Sequence, residues 1–324
     1  LVSVAIEGHE NVTMGHDFMP LVSDGFQNTL QREIMPRFAY VNGCYLPHDQ
    51  AHVHVEDRGF QFADGVYEVI TVINGKFADE EGHLARLARS LGELSIPWPV
   101  KPASLRFIMR ELLRRNHLRN ATLYIQITRG PAPRDFKFPK EPVPTLVLTC
   151  RRASFQPPAV LEKGVAVITL PDIRWQRRDI KSVSLLPQAL GKQKAFEAGA
   201  YEGWQVDEQG FVTEGCSSNA WIVTREGVLM TRPPSNAILN GITRLSILEC
   251  ARALNIAFEE RPFSVAEALN AREAFMSSAG TFALPVVQID GKPVSDGAPG
   301  PLTLRIRQAY LDHVGAVDPL LRGL

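Results

Sequence analysis

The chain has 324 residues, 45% hydrophobic and 22% charged, with 35 Lys plus Arg against 35 Asp plus Glu and a formal net charge of zero. That is apolar material for one large or two medium domains. Zero net charge argues against nucleic acid or an anionic membrane as the main partner, because each is held by a clustered positive field.

Residues 1–36 lack the basic and apolar regions of a signal peptide and carry Glu7, Glu10, Asp17 and Asp24. They are expected to be an extension outside the folded core. Met35 stands directly before the first strand-like pattern, so start-site assignment is the expected origin of residues 1–34. "FAYVNGCYL" (38–46) and "GVYEVITVINGKFAD" (65–79) each place Asn-Gly between β-prone residues, the pattern of a two-residue hairpin. Alternation in the second puts Tyr67, Val69 and Thr71 on one face and Glu68, Ile70 and Val72 on the other. Amphipathic helices are predicted over 79–96 and about 103–116, the latter with a solvated basic face. Strands follow at "ATLYIQITRG" and "PTLVLTC", and the proline-bearing "RRASFQPPAVLEKG" (151–164) reads as a linker.

The second half opens on the strand "GVAVITLPDI". A helix is predicted over about 187–199, with Pro187 in its first turn. Strand and hairpin material comes next, then a helix over 241–256, the strand "EAFMSSAGT" and a closing helix in "PLTLRIRQAYLDHV". No apolar run reaches membrane-spanning length. The four cysteines are far apart and form no C-x-x-C pair, so neither a disulfide framework nor a zinc site is expected, and a cytoplasmic location is.

Several stretches suggest chemistry, each with a plainer alternative. Lys181 follows Arg174, Arg177 and Arg178 and precedes the apolar "SVSLL"; nearby cations and desolvation favour a reactive amine, although a lone lysine is usually a surface charge. Glu214 in "VTEGCSSN" ends a hairpin strand before small polar residues, or is an exposed Glu beside a Gly-Ser turn. "NGITR" (240–244) opens a helix with free amides, an anion site or an ordinary cap. "SSAG" (277–280) ends a strand with small residues and backbone donors. Arg86 offers a fork matched to phosphate, or is a surface arginine. His52 and His54 would share a strand face, as a metal site needs, but no acidic or cysteine partner is evident and no metal is expected.

In this order the stretches resemble one family, the fold-type IV (class IV) PLP-dependent aminotransferases, and within it the bacterial D-amino-acid aminotransferases. The resemblance runs from about residue 37 to 315 through "EDRGFQFADGVYEV", "HLARL", "ITRGPAPRDFKFP", "DIRWQRRDIKSVSLL", "KQKAFEAGAYE", "VTEGCSSN" and "GITR". It implies an α+β fold of two domains, 37–152 and 161–324, joined by a linker at 153–160, with pyridoxal 5'-phosphate between them. Lys181 matches the Schiff-base lysine, the catalytic residue. Glu214 matches the carboxylate facing the pyridine nitrogen. Arg86, Gly241, Ile242 and Thr243 match the phosphate cup, with Ser278 and Ala279 near it. Leu239 matches a residue packing on the ring, and Ser217 and Ser218 line the cofactor.

For substrate the resemblance implies that Tyr67 and Arg134 hold the carboxylate, Arg134 in the neighbouring subunit's site, hence a homodimer. The third member of that trap, a histidine, is replaced here by Phe136, which cannot donate a hydrogen bond. The expected reaction passes nitrogen from a D-amino acid to a 2-oxo acid such as 2-oxoglutarate. Within the fold, (R)-amine transaminase, branched-chain L-aminotransferase and aminodeoxychorismate lyase are alternatives. Outside enzymes, a PLP-binding carrier is the alternative. It would need the lysine but not Glu214 or Tyr67.

Overall fold

The computed structural model describes residues 37–316; the expected extension at 1–34 lies outside the described residues. β1 (Phe38–Val41) and β2 (Cys44–Pro47) meet at Asn42-Gly43. Both turn residues have positive φ, 43° and 100°, as the tight hairpin turn requires. The strand expected at His52–His54 is not formed. A 3-10 turn (His48–Gln50) leads into coil there, and His54 Nδ1 accepts the Glu56 amide at 3.0 Å instead. α1 (Arg58–Phe62) leads to β3 (Gly65–Ile73) and β4 (Lys76–Phe77), joined at Asn74-Gly75.

α2 (Glu80–Glu93) and α3 (Pro102–Arg115) occupy the predicted ranges. Asp79 does not cap α2; its carboxylate serves Tyr310 and His313 at 3.0 and 2.8 Å. β5 (Ala121–Thr128) and β6 (Thr145–Arg152) complete an antiparallel six-stranded sheet of order β2-β1-β6-β5-β3-β4. Leu84, Leu87 and Leu91 of α2 and Leu105, Met109 and Leu112 of α3 bury against its Val66, Ile70, Leu123 and Ile125. The predicted linker is partly regular: β6 runs through Arg152, and α4 spans Pro158–Lys163 with a proline in its first turn.

β7 (Val165–Pro171), α5 (Leu186–Glu197), β8 (Glu202–Val206), β9 (Val212–Gly215), β10 (Asn219–Val223) and β11 (Leu229–Thr231) follow. Then come α6 (Ile242–Ala253), β12 (Phe258–Glu260), α7 (Val265–Asn270), β13 (Glu273–Ser278), β14 (Phe282–Ile289), β15 (Lys292–Pro293) and α8 (Pro301–His313). Nine strands form one mixed sheet, β12-β11-β10-β13-β14-β7-β8-β9, with β15 on β14. The architecture is α+β.

Only Cys216–Ser218 separate β9, at one edge of this sheet, from β10 near the other, and Gly215 N donates to Ser218 O at 2.7 Å. The sheet therefore curls round on itself, which right-handed strand twist permits. That curl gathers the end of β9, the start of β10 and the end of β13 in one place. Among the described residues no helix is long and apolar enough to cross a membrane.

Candidate active site

β3 leaves most of one edge unpaired, because β4 covers only Val72 and Ile73. Residues 181–183 take that edge. Tyr67 N donates to Lys181 O and Val183 N to Gly65 O, both at 3.0 Å. Lys181 N in turn donates to Ser90 Oγ of α2 at 3.3 Å. Both backbone polar groups of Lys181 are thus held, and its ammonium rests 4.2 Å from the centroid of the Tyr67 ring, a cation–π contact. The arginines before it are not loose charges beside the amine. Arg177 pairs with Asp179 and Glu93, and Arg174 and Arg178 with Asp172.

Lys181 faces a cavity of about 610 Å³, within the range of small-molecule sites. Its wall brings together Tyr67, Arg86, Lys181, Glu214, Ser217 and Ser218. Leu239, Gly241, Ile242, Thr243, Ser278 and Ala279 complete the expected cofactor set. Arg134 and Phe136 do not line it. They stand on the exposed loop after β5, where Phe136 is 84% exposed and packs its ring 5.5 Å from Phe62.

Glu214 is fixed at three points. Arg174 donates to Oε1, the Leu239 amide donates to the same oxygen at 3.0 Å, and Asn219 Nδ2 donates to Oε2 at 3.0 Å. Burial pushes its carboxyl above the ordinary value; Arg174 and the Leu239 amide offset this only in part. Burial alone would lower the Arg174 guanidinium, but Glu214 and Asp172 outweigh it and raise it. Arg174 and Asn219 are site residues that sequence reasoning missed. Arg174 reaches Glu214 from the loop after β7, two strands from β9, and Asn219 across the short β9–β10 turn.

Arg86 is already engaged. Its Nε and Nη2 donate to the two oxygens of Glu68 at 2.7 and 2.8 Å, and Nη1 donates to Asn240 O at 3.1 Å. His83 Nδ1 lies 2.7 Å from the same carboxylate. Burial would raise Glu68, yet Arg86 and His83 prevail and hold it at about 2. An ionised carboxylate only accepts, so His83 carries its proton on Nδ1. Burial also holds His83 below its ordinary value, against the pull of Glu68. The alternation that placed Glu68 opposite Tyr67 was the signal for this group.

At the start of α6, Gly241 is extended and supplies no capping side chain, so the Ile242 and Thr243 amides keep donors for a ligand. A Cβ at Gly241 would meet Asn219 Oδ1 at 2.1 Å, so only glycine fits beside the residue that holds Glu214. Ser217 and Ser218 turn their hydroxyls to Glu202 Oε2 at 2.8 and 3.3 Å. Lys192 lies 3.4 Å from the other oxygen, so it steadies this turn rather than standing free on the helix surface. Ser278 Oγ meets Thr281 Oγ1 at 2.8 Å. The set suits a ligand with an anionic end, at the glycine-opened helix and Arg86, and a basic ring nitrogen, at Glu214. A phosphorylated pyridine cofactor fits those requirements.

The Amino-transferase class IV family model matches residues 65–289. The D-alanine aminotransferase of Bacillus licheniformis is 40% identical over 274 residues, covering 84% of this chain and 95% of that one. The D-alanine aminotransferase of Staphylococcus aureus is 38% identical over 275 residues, covering 85% and 97%. Among solved structures, the branched-chain amino acid aminotransferase of Escherichia coli superposes with a TM-score of 0.80 at 25% identity, covering 89% of this chain and 98% of its own.

Proposed function

The chain belongs to the class IV aminotransferases, which depend on pyridoxal 5'-phosphate, and on that premise we propose that it moves an amino group from a D-amino acid resembling D-alanine to a 2-oxo acid such as 2-oxoglutarate. The cofactor supplies the electron sink. In the proposed division of labour, Lys181 would hold it through Nζ, and the same amine would move the proton at the substrate Cα. The Tyr67 ring against that amine limits where it can reach. Glu214 faces the ring nitrogen and favours its protonated state. Arg86, Gly241, Ile242 and Thr243 take the phosphate, flanked by Ser278 and Ala279. Leu239 packs on the ring, and Ser217 and Ser218 line its edge.

Tyr67 is to meet the substrate carboxylate together with Arg134 of a second copy, in a cytoplasmic homodimer built from the two domains 37–152 and 161–324. The exposed stance of Arg134 and Phe136 away from their own cavity supports that division. So does the loop's anchorage: Arg58 Nη1 donates to Asp135 O at 2.6 Å, and the Arg129 guanidinium lies 3.5 Å from the centroid of the Phe138 ring. The four cysteines are free thiols, consistent with a reducing compartment.

The observation that carries the transaminase chemistry is Lys181 and the buried Glu214 on one cavity wall. The similarity to D-alanine aminotransferases carries the donor. Exposed Phe136 favours one second reading, (R)-configured amines, which have no carboxylate to hold. Mixing the holoenzyme with D-alanine, L-leucine or (R)-1-phenylethylamine and following conversion to the pyridoxamine form separates these. D-alanine is expected to convert it fastest, and conversion by L-leucine alone overturns the proposal. Phe136→His is expected to raise the preference for D-alanine over the amine roughly tenfold, by adding a donor to the carboxylate.

A further inference from the structure

The cavity carries more positive charge than the proposed chemistry uses. Six cationic side chains line it, Arg86, Arg151, Arg152, Arg174, Arg178 and Lys181, against one carboxylate, Glu214. Four of them are accounted for. Arg86 pairs with Glu68, Arg174 with Glu214 and Asp172, Arg178 with Asp172, and Lys181 lies on Tyr67. Arg151 and Arg152, at the end of β6, form no ion pair or side-chain hydrogen bond with any described residue.

The placement of Arg151 follows from strand register; Arg152 falls on the other face by the same alternation and reaches the cavity wall as the last residue of the strand. Arg151 pairs with Thr122, and Thr122 with Thr71. The row Thr71–Thr122–Arg151 therefore shares the face of the sheet that carries Tyr67. Thr71 Oγ1 donates to Ala279 O at 2.6 Å, which ties this row to the strand-end loop at the cavity. At about 3.3 Å per residue and 4.8 Å per strand, Arg151 Cα lies roughly 16 Å from Tyr67 Cα. Two long side chains and a short dicarboxylate fill such a gap. Beyond Arg151 the rim is polar: Gln156 Nε2 donates to Tyr201 Oη at 2.9 Å.

We propose that Arg151 and Arg152 form a remote-carboxylate subsite, which selects dicarboxylic 2-oxo acids and the matching acidic amino acids over monocarboxylic ones. This rests on the transaminase reading above for its substrate, but not on which enantiomer is donor. Arg151 presents a planar fork suited to a carboxylate, and two guanidiniums without internal counter-ions await an anion from outside. Both side chains are exposed in the single chain, so solvent moderates the attraction.

The test uses the full-length holoenzyme with Arg151→Ala/Arg152→Ala and, separately, Arg151→Lys/Arg152→Lys. In the acceptor half-reaction, the ratio of kcat/KM for 2-oxoglutarate to that for pyruvate is expected to fall about tenfold or more in the alanine variant and to recover partly in the lysine variant. Calorimetry with glutarate and butyrate reads the subsite without turnover. Glutarate is expected to bind the wild type more tightly than butyrate, and the alanine variant to lose that difference. An unchanged ratio, or glutarate and butyrate binding equally to the wild type, overturns the subsite. A wild type that turns over neither oxo acid yet discriminates glutarate through these arginines overturns the transaminase reading and supports the subsite.

Discussion

Two carboxylates are buried beside the same cavity and are driven in opposite directions. Glu68 and Glu214 are 0% and 4% exposed. Glu68 faces a bidentate arginine and a histidine and is held at about 2. Glu214 shares its single arginine with Asp172 and is pushed up. Equal burial with unequal pairing sends the two shifts in opposite directions, because desolvation penalises the ionised form and only well-placed partners reverse it. The difference suits two tasks. Glu68 is a fixed anion that orients Arg86. In the proposed function, Glu214 is a carboxylate whose ionisation a cationic ring nitrogen would favour.

That contrast can be broken one partner at a time. Glu214→Gln is expected to lower kcat by about 10²–10³, the scale of losing a preorganised charge in an active site, while the cofactor-free protein melts within about 2 °C of wild type. The substitution removes a carboxylate that burial opposes, and Arg174 keeps Asp172. A large fall in Tm would show that Glu214 is structural. Glu68→Gln reverses the pattern: stability drops by on the order of 3 kcal/mol, because a largely shielded arginine loses its buried counter-ion, and the phosphate end of the cofactor binds more weakly. Unfolding titrations with equilibrium dialysis of pyridoxal phosphate check both.

Acid sharpens the same point. The folded Glu68 carboxyl lies below its ordinary 4.5, so its stabilisation is complete above that pH and disappears as pH falls through about 2. Glu214, raised in the fold, contributes in the opposite sense, favouring the fold at low pH and less so as pH rises. The wild type is therefore expected to lose more stability between pH 5 and pH 3, within the range where an ordinary carboxylate titrates, than Glu68→Gln does. Parallel loss in both would remove Glu68 as the acid-sensitive group. His83→Gln, the smallest change, takes one donor from Glu68 and leaves Arg86; a cost of about 1 kcal/mol is expected, read as a small shift in denaturant midpoint.

Much of the fold was legible because its signals are local. Asn-Gly at 42–43 and 74–75 marked both hairpins, and apolar spacing marked α2 and α3. The His52–His54 segment misled because alternation alone does not make a strand; after the 3-10 turn the backbone runs as coil. α7 was overlooked although Ser264 and Glu267 form its capping box at a readable spacing. In the site, Lys181, Glu214 and the Gly241–Thr243 turn were legible as residue types in order.

The sequence by itself determined which groups were available: the lysine, the carboxylates and the glycine-opened helix. Only the tertiary structure decided their states. It took β3's open edge to hold Lys181 against Tyr67, the β7-β8-β9 neighbourhood of the second sheet to bring Arg174 to Glu214, and the meeting of α2 with β3 to close Arg86 on Glu68. Apart from Asn219, five residues from Glu214, these partners lie 18 or more residues away in the chain. Periodicity and turn chemistry report only neighbours, so this part of the site had to await the folded chain.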